Sequence, residues 1–264
     1  MILFCFLDPF VQFTLLFFRL QTPLINYYDL TIDVEFLKKT LFPLLTDIGA
    51  FYLSYMRATN GTSFCLPHTC AQERCPSGSD VVNSHQDIAY ATLVFEKLLE
   101  YSAPTLPSER RAAASRRERD LWRLGLRNLP PFPVVDGIFA DAAIDCVANS
   151  GRKPETINAG YGISHLAGIF PAQIIGTKSS SPDLLHTARK TVEVINGAVN
   201  WLSGGGFDME FPQAARVSNR SSARALLDAM QTAIKASSHP NGYTETGGGG
   251  LEMIGGAEVS LLFV

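Results

Sequence analysis

The side chains able to do chemistry are concentrated in a few polar stretches. "HTCAQE" carries His68 and Glu73 on a loop, and "SHQD" places His85, Gln86 and Asp87 where a helix begins. "ISHLAGIFP" sets His165 between apolar residues, and "HPNGYTETGGGGLEMIGG" gathers Asn241, Tyr243, Glu245 and Glu252 around four consecutive glycines. A phosphate-cradling loop needs Lys and Ser/Thr after its glycines, and neither follows here. A dinucleotide fingerprint needs a preceding strand, for which "NGYTET" is a poor candidate. The chain has no Gly-x-Ser-x-Gly elbow and no His-Glu-x-x-His. Paired-carboxylate chemistry remains. Glycoside hydrolysis uses one carboxylic acid to protonate the leaving oxygen and a second carboxylate as base or nucleophile. Loops rich in aromatic, Asn, His and Gly residues suit a sugar, because rings stack on its apolar faces and amides bind its hydroxyls. His68, His85, His165, Asn241 and Tyr243 are the candidate substrate-binding side chains, and Glu73 and Glu252 the candidate catalytic carboxylates. Each has a plainer reading. Glu73 suits a solvated loop and His165 a satisfied core position, while Asp87 and Glu252 suit charges at helix N-termini. Trp122 and Trp201, spaced among Leu and Val, suit a core.

Composition narrows the partners. With 46% hydrophobic and 18% charged residues the chain is ordinary for a globular protein. A net charge of −3 gives no basic face for nucleic acid or anionic lipid. The one basic cluster, Arg110, Arg111, Arg116, Arg117 and Arg119, is interrupted by Glu109, Glu118 and Asp120 and reads as a solvated helix face. Of five cysteines, Cys65, Cys70 and Cys75 lie close together. A zinc site built from them and His68 lacks a downstream ligand pair, so no metal or cofactor is expected and a local disulfide is favoured. Two glycosylation sequons, at Asn60 and Asn219, agree with a secretory route. Residues 1–20 are almost wholly apolar but lack a positive start and contain Asp8-Pro9, a poor match to a signal peptide or a membrane span. No stable membrane association is expected unless that segment anchors the chain. The abrupt end at "AEVSLLFV", reading as an uncapped amphipathic helix, suggests a fragment of a larger domain.

The elements that must position these residues are predominantly helical. Three- and four-residue apolar spacing predicts helices over 33–56, 84–102, 108–129, 181–203 and 222–237, with a further candidate over 137–150 and a short turn over 210–217. Ser84 and Pro182 mark helix starts, and Pro43 requires an early-turn position or a kink. The long connections hold most of the Gly, Pro, His and Asn. This pattern predicts an all-α array of helical hairpins that presents a site from loops on one face.

Taken in order, five segments resemble glycoside hydrolase family 95, inverting exo-glycosidases built as an (α/α)6 toroid. They are "PLINYYDLTIDVEFLKKTLFPLLTDIGAFYLSYM", "HTCAQE", "HQDIAYATLVFEKLLEYS" with "LWRLGLRNLPPFPV", "ISHLAGIFPAQIIG" and "NGYTETGGGGLEMIGGAEVSLL". The resemblance spans about residues 21–262. It implies a partial toroid over 21–264, α-L-fucosidase-like activity on terminal sugars of oligo- or polysaccharides, Glu73 as general acid and Glu252 as the carboxylate nearest the family's base. The two carboxyls would then stand about 6.5–9.5 Å apart around a water. The chain departs from the family in two motifs. Cys70-Ala71-Gln72-Glu73 replaces Ser-Pro-Glu, and Glu-Met-Ile-Gly replaces Asp-Gly-Asn-Phe-Gly. The family's paired-asparagine loop would precede residue 21. An inactive carbohydrate-binding or structural remnant of the same fold is therefore the alternative, and a lyase using Tyr161 and His165 a weaker one. On the leading reading, the glycine run would turn the chain so that Glu252 stands at the mouth of a final helix.

Overall fold

The computed structural model describes residues 21–59, 63–67, 82–143, 164–177, 180–198, 210–217, 243–246 and 250–253, with the single positions 221, 224 and 228. The described chain is mostly helical, with a few short strands paired as two-stranded antiparallel hairpins. It divides into two compact units: Met1–Phe132 with Ala142–Lys153, and Pro133–Asp141 with Pro154–Val264. Among the described residues no helix is long and apolar enough to cross a membrane.

The first unit is built on helices. Helix α1 (residues 21–31) buries Ile25 and Tyr28 one turn apart. After it, α2 (Val34–Phe36) is capped by Asp33, whose carboxylate accepts from Phe36 N at 3.0 Å. A π-helical turn, Leu37–Leu41, then leads into α3 (Phe42–Tyr55). Pro43 sits in the first turn of α3. A proline there has no N–H to donate and its ring crowds the carbonyl four residues back, and the wide turn before it relieves both demands. The strands β1 (Arg57–Thr59) and β2 (Ser63–Cys65) form a hairpin beyond α3.

Helix α4 (His85–Tyr101) is the centre of this unit and packs against both α3 and α5 (Arg116–Asn128). It is buried nearly all round, with Ile88, Tyr90, Leu93, Val94, Phe95, Leu98 and Tyr101 under cover. Burying one such side chain contributes roughly 1.5–3 kcal/mol, so packing rather than helix propensity holds α4. Two glycines allow the close approach. A Cβ on Gly49 would stand 2.8 Å from Leu98 Cδ1, and one on Gly125 would stand 2.9 Å from Phe95 Cζ. Helix α1 is tied to α4 through Asp29, which accepts from Lys97 Nζ and Tyr101 Oη, each at 2.8 Å. Burial pulls the Lys97 ammonium down, but the Asp29 and Glu100 carboxylates outweigh it and raise its pKa.

Helix α5 is the opposite case. Only Trp122 and Gly125 are buried, Trp122 edge-on to Phe42 at 6.0 Å. Its arginines lie on the solvated face, where Arg123 pairs with Asp120 at 2.8 Å. Exposed pairs of this kind contribute about 0.2–1 kcal/mol. The helix begins later than its composition predicts: residues 108–115 are turns and extended chain, not helix. The cause is a capping box, Ser115 Oγ accepting from Glu118 N while the Glu118 carboxylate accepts from Ser115 N.

The second unit corrects another expectation. The helix anticipated over 137–150 is replaced, as far as Ala143, by a hairpin of β3 (Val134–Val135) and β4 (Ile138–Phe139) followed by extended chain. Asp136 and Gly137 form its turn, with φ of 52° and 78°. That two-residue Asp-Gly connection matches the twist of the strands it joins. The hairpin docks on α6 (Pro182–Ala198): Phe139 N donates to Thr191 Oγ1 at 2.9 Å, and Lys190 Nζ to the Asp136 carbonyl at 2.6 Å. The short α7 (Glu210–Arg216) also packs on α6, where Arg189 Nε donates to the Val217 carbonyl at 2.6 Å. The strands β5 (Tyr243–Thr246) and β6 (Gly250–Met253) pair as a third hairpin. Most of the helix expected over 222–237 lies outside the described residues, as do Trp201 and residues 1–20.

Candidate functional site

In the first unit, the two ends of the segment that carries His68 and Glu73 are joined in a buried neck. His68 and Glu73 themselves lie outside the described residues. On the incoming side, Cys65 is disulfide-bonded, to a cysteine outside the described residues, and is buried together with Leu66. On the outgoing side stand Val82, Asn83 and Ser84. Asn83 links the two sides: its N–H donates to the Leu66 carbonyl at 2.9 Å, and its side-chain oxygen accepts from Leu66 N at 2.8 Å. It does this with a φ of 54°, a left-handed conformation that asparagine tolerates better than most residues. Val82 bridges to Ala143 through reciprocal backbone bonds of 2.8 Å, and Tyr55 Oη donates to the Pro67 carbonyl.

The neck continues directly into α4. Ser84 caps it, accepting from Asp87 N at 3.0 Å and donating to Asp87 Oδ2 at 2.6 Å. Burial pushes the Asp87 carboxyl up to about 6, against the opposing pull of the Ser84 hydroxyl. Asp87 is therefore both the helix-terminal charge that its position suggests and an acid that exchanges its proton near neutrality. Behind it, His85 is fully buried and stacks on Phe132, ring centroids 4.3 Å apart. Gln86 is buried as well.

The second unit holds His165 on a 3-10 turn, Ser164–Leu166. The ring is fully buried, and Nδ1 lies 3.1 Å from Asp141 Oδ1. Its Nε2 is buried, with no hydrogen-bond partner among the described residues. Asp141 keeps 18% of its side-chain surface exposed, so the pair lies just beneath the surface. Spacing along the chain gave no hint of this pair, because its members are 24 residues apart and on different elements.

Tyr243 and Glu252 are brought onto one ribbon. Tyr243 pairs in register with Met253, and Glu252 with Thr244. Glu252 thus sits on a strand and not at the mouth of a helix. Alternating residue types in "YTET" favour pairing across the glycine-rich connection. Asn241 and Tyr161 lie outside the described residues.

Among the described residues no group of three or more His, Cys, Asp or Glu is placed to hold a metal ion. A cleft of about 550 Å³ beside α5, lined by Arg111, Ala113, Ala114, Ser115, Glu118 and Arg119, includes none of the sequence-derived site residues. Its arginines donate to the Pro104 and Ala114 carbonyls, and Glu118 already occupies the helix terminus. No protein-family model and no curated protein matches the chain.

Proposed function

We propose that the chain is part of an inverting exo-α-glycosidase, α-L-fucosidase-like, which removes terminal sugars from oligo- or polysaccharides. The reading rests on the ordered family-95 resemblance, with helical hairpins presenting loops as a partial (α/α)6 toroid. The observation that supports it on the structural side is the buried neck formed by residues 65–67 and 82–84, which flank residues 68–81 in the sequence. The residues on either side of the segment that carries Glu73, the proposed general acid, are tied to each other by the Asn83–Leu66 bonds, and Cys65 among them is disulfide-bonded. Asp87, at the base of that segment, is a second acid that releases its proton near neutral pH. The Cys65 disulfide and the sequons at Asn60 and Asn219 support a secretory-pathway protein.

Replacing Glu73 or Glu252 by Gln and measuring turnover of an aryl α-L-fucoside tests the assignment. Loss of the general acid or base is expected to reduce turnover by about 10²–10⁴-fold. Full activity in either variant removes that residue from the mechanism. The strand position of Glu252 favours, as a second reading, a carbohydrate-binding remnant without the base. Under that reading the wild type binds fucosides and turns none over.

A further inference from the structure

We propose that the cleft beside the start of α5 binds the oxyanion substituent of a small molecule through Arg111 and Arg119. Its volume of about 550 Å³ suits a ligand of sugar size and is well beyond a bare ion. Ala113 and Ser115 on its wall are exposed, so a solute reaches it from solvent. Arginine is always protonated in a protein, so both guanidiniums are cations whatever surrounds them. Each has five N–H donors, of which the fold engages few. Arg111 Nη1 donates to the Pro104 carbonyl at 3.2 Å, and Arg119 Nη1 to the Ala114 carbonyl.

Both acceptors are residues of the cleft wall, so those bonds hold the two side chains at the cleft without neutralising them. Among the described residues the ion pairs of α5 belong to Arg116 and Arg123, both with Asp120. The end of the helix is not itself the site, because Glu118 fills it: its Oε2 accepts from Ser115 N at 2.7 Å. Bonds from Ser115 hold the Glu118 carboxyl below the usual carboxylate range, so it stays ionised. The lining therefore carries two positive charges and one negative, a net of one positive, which attracts an oxyanion and gives a neutral solute nothing. Between the arginines, Ala113 and Ala114 leave the space that larger side chains would fill. Guanidinium forks match sulfate, phosphate and carboxylate oxygens alike, so the shared chemistry is that of an oxyanion. The cleft contains none of the residues of the glycosidase reading and does not depend on it.

NMR titration of the whole chain at low salt tests this, following the backbone amides of Ala113 and Ala114. The probes are glucose 6-sulfate, glucose 6-phosphate and glucuronate, with glucose as the neutral control. Saturable shifts are expected with at least one charged sugar and none with glucose, and the tightest binder identifies the substituent. In Arg111→Gln and Arg119→Gln the Kd for that sugar is expected to rise about tenfold. Arg117→Gln removes the same charge from outside the cleft and is expected to raise it about twofold at most. Should Arg119→Gln disturb the α5 terminus, Arg111→Gln against Arg117→Gln carries the comparison alone. Equal losses in the Arg111 and Arg117 variants would mean a diffuse basic face and overturn the proposal. So would shifts that fail to saturate with every charged sugar, or shifts as large with glucose.

Discussion

Two histidines in this protein are equally buried and differ in what their rings meet. His85, in the first unit, lays its face on Phe132 at the start of a largely buried helix. His165, in the second, turns an edge to the Asp141 carboxylate. Burial alone therefore does not separate a histidine packed by its face from one held at its edge by a carboxylate. The group that each ring meets does.

The largest effect expected from that contrast is on stability. His85→Ala removes a stacked ring from the core and is expected to cost roughly 3 kcal/mol in urea denaturation. His165→Ala removes a ring whose partner, Asp141, is partly exposed, so a smaller cost of about 1–2 kcal/mol is expected. Equal losses at the two sites would erase the distinction.

Asp87 sharpens it next. Its carboxyl sits at about 6 in the fold against an ordinary value of 3.8, so the folded state holds the proton more tightly. Its contribution is fully present below about pH 4 and is lost as pH rises through about 6, a change on the order of 2 kcal/mol for a half-buried group. Asp87→Asn is expected to flatten that part of a Tm-versus-pH curve. An unchanged slope would show that Asp87 is as well solvated as an ordinary surface carboxylate.

The helices that could be read from sequence were those whose signals agree. In 84–102, apolar spacing and the Ser84 cap point the same way, and α4 follows to within a residue at each end. The same holds for the start of α6 at Pro182. Reading fails where signals conflict. Residues 108–115 are helix-favouring in composition, but Ser115-x-x-Glu118 marks the true start. In "VVDGIF" the Asp-Gly turn outweighs the apolar spacing that suggests a helix over 137–150. The pairing of His165 with Asp141 is tertiary, and no local pattern encodes it. Nor does one encode the neck: Asn83 reads as an ordinary loop residue until Leu66 is found opposite it.

The smallest effect tests that lesson on the solvated helix. Ser115→Ala removes the α5 cap and is expected to cost about 1 kcal/mol, measured by thermal unfolding. A loss as large as that of His85→Ala would mean that α5 contributes more to the core than its two buried residues suggest.

The central claim, an inverting glycosidase, is tested most directly by proton NMR of the first sugar released from an aryl α-L-fucoside. β-L-Fucose is expected to appear first and to equilibrate afterwards with the α anomer. Release of α-L-fucose first, or no release at all, contradicts it.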